Sequence, residues 1–379
     1  MVSGAFNVLH AGHIRFLQDA RALGDYLIVT FPPADLLWRL YGKKSVLADE
    51  DKLAVLSSLG MVDEVVFSCD EDRDLSFRSV FERLRPDVLA VTTDDVYQEA
   101  KLALCRQMGA EFVVLPKTLP EHGCTTSTEV INRAKAPTHV PLRVDFAGGW
   151  LDVPDYAMPG EYIVNCSISP TVSLKEWDYR QGAGLGGSGA WSVLNGWDPV
   201  RSELGLGVGW QDPAVIAETG ACVWKSGPTP VLDFKNTGAF LSGLMAVKDT
   251  RIAHNTPGIA GMKRNLARIA KAARVARLAV QQQDVTVLSV AVQMSYRAQL
   301  EEGMKPLPEI GRALARKYCG GGHGGYALYL FETQADREAA LESYENLYPI
   351  EPYCRTFGRD EPVAWQPKYL ERMRAAKKS

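Results

Sequence analysis

The chain has 379 residues, 46% of them apolar and 23% charged, and a net charge of −3 at pH 7. That length exceeds one ordinary core and predicts two or three domains. The near-neutral balance offers no basic field to a nucleic-acid backbone, and no run of about 18 apolar residues is available to span a membrane. Seven cysteines, an odd number without a CxxC pair, argue against a disulfide framework or a zinc site. With no signal-peptide pattern at the start, the expected compartment is the reducing cytoplasm.

In chain order, the first third alternates short apolar runs with amphipathic stretches. Tyr26–Thr30, Glu64–Phe67, Val88–Thr92 and Glu111–Leu115 read as buried parallel strands. Helices are expected between them over His13–Leu23, Ala48–Leu59, Phe77–Leu84 and Val96–Met108. Such a series predicts an α/β, Rossmann-like open parallel sheet with helices on both faces and ligands at the carboxyl ends of its strands. One more helix is expected over Thr125–Ala134, and Ala136-Pro137 breaks it. The domains are therefore expected at 1–136 and 137–379. The second begins with an alternating strand, Val140–Phe146. Helical blocks follow near Gly261–Gln283 and Val285–Glu302, and Tyr326–Phe331 reads as a strand after a glycine cluster. This mixture predicts an α+β domain.

The segment Gly4-Ala5-Phe6-Asn7-Val8-Leu9-His10-Ala11-Gly12-His13 sits where the first strand meets the first helix. A helix start presents N–H groups and the positive end of its dipole, and two imidazoles there add donors where charge would build on a phosphate. Two surface histidines without a function are the bland alternative. A second candidate anion site is Gly123-Cys124-Thr125-Thr126-Ser127-Thr128-Glu129. Its hydroxyls and N–H groups suit phosphate, although Thr or Ser followed by Glu is also an ordinary helix cap.

Over residues 2–135 the chain resembles the cytidylyltransferase-like family, including glycerol-3-phosphate cytidylyltransferases and heptose-phosphate adenylyltransferases. The resemblance implies that His10 and His13 stabilise the transition state of nucleotidyl transfer. It implies a catalytic lysine at Lys43 or Lys44, in the loop after the second strand. It places Gly4, Phe6, Asp94, Asp95, Thr125, Thr126, Ser127 and Thr128 around the nucleotide. The substrates implied are an NTP (ATP, CTP or UTP) and a sugar phosphate, with Mg²⁺ carried on the NTP. A homodimer is compatible with the family. The chain departs from the pattern at Asn7, usually Asp, at Lys52, usually Arg, and at Thr93, which replaces a Gly.

The second domain carries Gly182-Ala183-Gly184-Leu185-Gly186-Gly187-Ser188-Gly189-Ala190. Glycines permit the close backbone approach of a phosphate nest, and no GK[ST] follows, so this is not a Walker A loop. With Pro141–Pro154 before it and Gly320-Gly321-Gly322-His323-Gly324-Gly325 after it, the region 138–333 resembles the GHMP small-molecule kinases, closest to their sugar and heptose-phosphate branch. That resemblance assigns Gly184, Leu185, Gly186, Gly187, Ser188, Gly189 and Ala190 to ATP. It assigns Arg143, Asp145, Gly148, Gly149, Asp152, Gly320, Gly321, Gly322, Gly324 and Gly325 to the sugar side. Asp212 is implied as the base or the group that orients the acceptor hydroxyl, and Ser188 with Glu203 as oxygens for Mg²⁺. About a dozen residues separate Ala190 from Leu204, where the family has two full helices. The leading expectation is a bifunctional sugar-activating enzyme, in which a kinase feeds a nucleotidylyltransferase. The alternative keeps the transferase and gives the second domain only a binding or oligomerisation role. A nucleotide sensor without catalysis is a third reading, against which the intact HxGH stands.

Overall fold

The computed structural model describes residues 1–117, 126–175, 177, 184–253, 261–262 and 264–355. The chain divides into two compact units, Met1–Lys135 and Ala136–Ser379. Thr125, Gly182 and Ala183, named above as candidate site residues or as part of the glycine-rich motif, lie outside the described residues.

The first unit is a five-stranded sheet in the order β3-β2-β1-β4-β5. Its strands are β1 (Val2–Ser3), β2 (Ile28–Phe31), β3 (Glu64–Phe67), β4 (Val88–Thr92) and β5 (Glu111–Leu115). Every pairing is parallel. Successive strand residues serve opposite faces, as the pleat requires. Val2, Val29, Phe31 and Ala90 join Leu17 and Leu56 in one apolar layer. Ile28, Leu89 and Val91 join Phe81, Leu104 and Cys105 in the other. The sheet is therefore covered on both sides, as an all-parallel sheet must be. The helices are α1 (Ala11–Arg21), α2 (Ala34–Tyr41), α3 (Asp49–Ser57), α4 (Arg78–Leu84), α5 (Gln98–Met108) and α6 (Ser127–Lys135). β1 is central and pairs with both β2 and β4, so its carboxyl end stands at the switch in strand order, the usual ligand position in such sheets. Helix α2 corrects the sequence reading, which has a loop after the second strand. Pro32-Pro33 and only eight helical residues hide it, although Leu36 and Leu37 are buried.

The second unit carries β6 (Val140–Ala147), β7 (Tyr162–Val172), α7 (Gly187–Leu194), α8 (Pro199–Gly205), α9 (Gln211–Glu218), β8 (Ala221–Lys225), β9 (Val231–Asn236) and β10 (Met245–Asp249). Then come α10 (Leu266–Gln282), α11 (Val285–Glu301), β11 (Ala313–Tyr318), β12 (Tyr326–Phe331), α12 (Gln334–Ser343) and β13 (Leu347–Pro352). The sheet runs β11-β12-β10-β13-β7-β8-β9, with β6 on β7. All its pairings are antiparallel. Strand residues Val144, Phe146, Val164 and Val223 share a core with Ala272, Ala273, Ala276, Ala279 and Val280 of α10 and Leu288, Ala291 and Val292 of α11. The alanine row lets the helix backbone approach closely. Asn265 caps α10 through the Arg268 N–H, and Asp284 caps α11 through the Thr286 and Val287 N–H groups. The first of these helices begins at Leu266, five residues after the expected start. Both units have the predicted class, α/β followed by α+β.

Candidate active sites

In the first unit, β1 delivers its carboxyl end to the start of α1. His10 is the extended residue just before that helix, and its carbonyl accepts the backbone N–H groups of His13 and Ile14 at 2.9 and 3.2 Å. The helical spacing brings the His10 and His13 rings to 3.9 Å between centroids, tilted by 33°. Phe6 backs them, 5.3 Å from the His13 ring. Nδ1 of both histidines is buried without a hydrogen-bond partner. Burial, and then the His10 charge, push His13 down to about 4. Burial also holds His10 below its ordinary value, with Lys117 adding to the effect and Glu129 opposing it. Both shifts favour the neutral imidazole at pH 7.

Asn7 ties the next loop to this site. Its Nδ2 donates to the Lys44 carbonyl at 2.9 Å, and its Oδ1 accepts the Val46 N–H at 2.7 Å. Lys43 and Lys44 themselves are exposed and follow α2, not β2 directly. Gly4 donates its N–H to the Thr30 carbonyl at 3.1 Å. Lys52, on α3, is buried with Nζ lacking a hydrogen-bond partner and standing 4.9 Å from the centre of the Phe31 ring. Burial lowers the Lys52 ammonium, and Asp49 opposes that.

The two aspartates after β4 part company. Asp94 pairs with Lys117 at 2.6 Å and accepts the Thr92 hydroxyl at 2.7 Å. Asp95 pairs with the buried Lys101 at 2.6 Å and accepts the Tyr97 N–H, which is a structural task. At the start of α6, Thr126 and Glu129 exchange hydrogen bonds as a capping box. The Ser127 hydroxyl donates to the Val8 carbonyl at 2.9 Å, which pins α6 beside the histidine loop. Thr128 is exposed.

The second unit holds a cleft of about 1040 Å³. Arg143, on β6, is its hinge pin. The guanidinium grips both oxygens of Asp212, on α9, at 2.5 and 2.7 Å, and donates to the Gly184 carbonyl at 2.8 Å. Against the lowering effect of burial, Asp212 and then Asp145 hold Arg143 above its ordinary value. Gly186 opens α7 at φ 75°, and a β-carbon there would stand 2.9 Å from Arg143 Cγ, so the turn admits only glycine comfortably.

Among the described residues, three carboxylates, Asp152, Glu203 and Asp212, face this cleft. Asp152, 1% exposed, accepts the Gln211 N–H at 3.0 Å, its side-chain amide at 3.1 Å and the Trp150 N–H at 3.1 Å. A β-carbon at Gly209 would run into that carboxylate. Burial pushes Asp152 up to about 7, against the Gln211 N–H and with the Asp212 charge. Glu203, on α8 and 3% exposed, hydrogen-bonds Ser188, and its Oε1 has no partner. Burial and then Asp212 push it up to about 7 as well. A serine hydroxyl beside a carboxylate oxygen lacking a partner is a hard-oxygen donor set that fits Mg²⁺ completed by phosphate and water. Among the described residues no group of three or more His, Cys, Asp or Glu side chains forms a metal site.

Not every expected residue reaches the cleft. Gly184, Gly186, Gly187, Ser188, Arg143, Gly149, Asp152, Glu203, Asp212, Gly320 and Gly321 line it. Leu185 and Ala190 are core instead, and Gly189 packs against Pro213. Asp145, expected on the sugar, stands behind Arg143, paired with Lys317 and accepting the Gly320 N–H at 2.7 Å. Gly148 lies against the Tyr162 backbone and Gly322 against Met304, while Gly325 bonds to Ile252 and Thr250 and Gly324 packs on Ile252. None of these five lines the cleft. Lys317 gave no signal in the sequence. The tryptophans that line the cleft did, because three of the eight in the chain fall between 177 and 197.

A family model described as cytidylyltransferase-like matches residues 1–133. An FAD synthase of Pyrococcus abyssi is 33% identical over 136 residues, which cover 35% of this chain and 89% of that protein. An FAD synthase of Picrophilus torridus is 34% identical over 110 residues, 29% of this chain and 76% of the relative. The bifunctional protein HldE of Campylobacter concisus is 40% identical over 93 residues, but the match spans only 19% of it. A solved D-glycero-D-manno-heptose 1-phosphate kinase of B. thetaiotaomicron covers 57% of this chain and 95% of its own at 16% identity, with a TM-score of 0.43, a likeness too distant to assign a function.

Proposed function

The chain belongs to the cytidylyltransferase-like family through residues 1–133, and from that premise we propose a two-step sugar-activating enzyme. The second unit phosphorylates a sugar or sugar phosphate. The first unit transfers NMP from an NTP onto the sugar phosphate and releases pyrophosphate. The observation that supports the transferase step is the close pair of imidazoles, His10 and His13, at the head of α1. There the oxygen of the acceptor phosphate attacks the α-phosphorus, the bond to pyrophosphate breaks, and the imidazoles hydrogen-bond the oxygens that gain charge.

For the kinase step, the carboxylate of Asp212 is aimed by Arg143 beside the Gly184–Ser188 turn. It orients the acceptor hydroxyl and takes its proton as that oxygen bonds to the γ-phosphorus and the nucleoside diphosphate leaves. Ser188 and Glu203 would hold Mg²⁺, which supplies charge neutralisation on the phosphates. Joining the two reactions in one chain raises the local concentration of the intermediate. The alternative, a second unit that binds sugar phosphate without phosphorylating it, draws on the short α7 and α8 and on the full engagement of Asp212 by Arg143.

The test incubates the full chain with ATP, CTP, UTP and GTP separately, with Mg²⁺ and a panel of sugars and sugar phosphates, and records pyrophosphate and nucleoside diphosphate together. Pyrophosphate that is lost in His10→Ala and His13→Ala supports the transferase. Sugar-dependent ADP that is lost in Asp212→Ala supports the kinase. Pyrophosphate without ADP favours the binding-module alternative, and neither product from any pairing overturns the proposal.

A further inference from the structure

Beside Asp152 the second cleft ends on a residue in an uncommon backbone conformation. Trp150 has φ 80°, in the left-handed region that favours glycine and that a bulky residue keeps only when its surroundings fix it. A third glycine after Gly148 and Gly149 would meet this backbone without strain. A large ring held here against that preference points to a task for the ring. Three sides hold it. The Trp150 N–H donates to Asp152 Oδ1 and its carbonyl accepts the Val153 N–H, both at 3.1 Å. The Arg264 guanidinium lies 3.5 Å from the ring centre and is itself hydrogen-bonded to Tyr156. Ile269 and Ala270 of α10 and Ala298 of α11 share its apolar cluster. With a guanidinium over one face and 9% of the residue exposed, the ring gives a ligand an edge rather than a stacking surface.

Behind this ring lies a second cavity, of about 30 Å³, large enough for a water or two. Trp150, Gly149 and Gly320 border both spaces. Asp152 and Asp212 border the cleft alone. Ser295, Gln299, Glu302 and Lys317 border the inner cavity alone. The two glycines add no side chain to the partition, so the indole supplies its bulk. A wall of this kind sorts ligands by length, because a group that reaches past Asp152 meets the indole before it meets the polar groups beyond.

We propose that Trp150 is the end stop of the acceptor site, which admits one sugar ring and excludes an acceptor that carries a second. The proposal rests on the kinase reading for the end of the cleft that takes the acceptor. A sugar whose hydroxyl reaches Asp212 lies on the cleft side of the indole, and a further ring would need the space that the indole fills. Replacing Trp150 by glycine joins the inner cavity to the cleft. The opened space is about the size of the lost ring, which is comparable with a pyranose. An extended acceptor would there meet the Ser295 hydroxyl, the Gln299 amide and the Glu302 carboxyl, groups that suit sugar hydroxyls. The backbone N–H that Asp152 accepts survives the change.

The test compares the full chain as native, Trp150→Gly and Trp150→Asn, since asparagine also tolerates this backbone. Circular dichroism checks folding, and if neither variant folds, Trp150→Phe carries the same comparison. Titrations by saturation-transfer NMR measure binding of hexoses, heptoses, their phosphates, and disaccharides built from the same rings. ADP release is followed with the same panel. The native chain is expected to bind a single-ring sugar and to reject its two-ring counterpart. Trp150→Gly is expected to bind the two-ring sugar about tenfold more tightly than the native chain does, with single-ring binding near the native level. Indole added to Trp150→Gly refills the space and reverses the gain. A native chain that takes two rings as readily as one, or a folded variant that binds one ring and gains nothing for two, overturns the proposal. The expected gain without ADP release from any sugar sustains the end stop and sinks the phosphoryl step. ADP release without the gain does the reverse, and no sugar binding at all overturns both.

Discussion

Arg143 holds Asp212 by two parallel bonds, at 2.5 and 2.7 Å, while the same guanidinium reaches the Gly184 carbonyl. One buried side chain from β6 thus sets the relation between the glycine turn and α9, whose carboxylate is the candidate base. Arg143→Lys keeps the charge but loses the planar fork. The expected result is a fall in sugar-dependent ADP release of a hundredfold or so with a folded chain. Arg143→Ala, which strands Asp212 and the buried Asp145, is expected to cost about 3–5 kcal/mol in denaturant unfolding of the second unit. Equal activity of Arg143→Lys and the native chain would show that the fork does not position the base.

Burial sets a pH dependence in the first unit. An imidazole in the unfolded chain takes its proton near 6.5, whereas His13 in the fold stays neutral down to about 4. Between those values the unfolded chain binds the extra proton, so stability falls as the pH drops from 6.5 towards 4. The loss is on the order of 3 kcal/mol over that window. His13→Asn does not titrate, and its unfolding free energy should fall less steeply by that amount. Urea unfolding at pH 7.5, 5.5 and 4.5 measures it, and parallel slopes for the two chains would refute the neutral, buried imidazole.

Glu203 has the opposite sign. Its folded value of about 7 stands above the ordinary 4.5. The neutral carboxyl is favoured in the fold, so its full contribution is present below 4.5 and is lost as the pH rises through 7. Glu203→Gln keeps an uncharged group beside Ser188. It should be more stable than the native chain at pH 8, by on the order of 3 kcal/mol, and nearly equal at pH 4. The same change should abolish Mg²⁺-dependent ADP release, because an amide oxygen is a poor replacement for a carboxylate ligand. A variant that is no more stable at pH 8 would mean that the charged form is not opposed by the fold.

Asn7 bonds as both donor and acceptor, to the Lys44 carbonyl and the Val46 N–H. Asn7→Asp retains the acceptor and loses the donor, which sets a carboxylate against a carbonyl. The loop carrying Lys43 and Lys44 should loosen by about 1–2 kcal/mol. Trypsin should then cleave after Lys43 or Lys44 several times faster than in the native chain, and KM for the NTP should rise. An unchanged cleavage rate would show that the amide does not hold the loop.

The sequence by itself determined the elements whose causes are local. The run Leu89–Val91 is apolar because both faces of a central parallel strand are buried, and the HxGH spacing brings two imidazoles together at the start of α1. The glycines around Ser188 announced a turn for the same local reason. Only the tertiary structure decided which of these groups face a cavity. Lys317 meets Asp145 across 172 residues of sequence, which turns an expected sugar contact into a buried brace, and no period or spacing encodes that meeting. Ser188 and Glu203 come together because α7 and α8 fold back on each other. Chemistry that rests on chain-adjacent residues can be read from residue order. Chemistry that rests on long-range packing is set by how the sheet and helices bury their apolar faces.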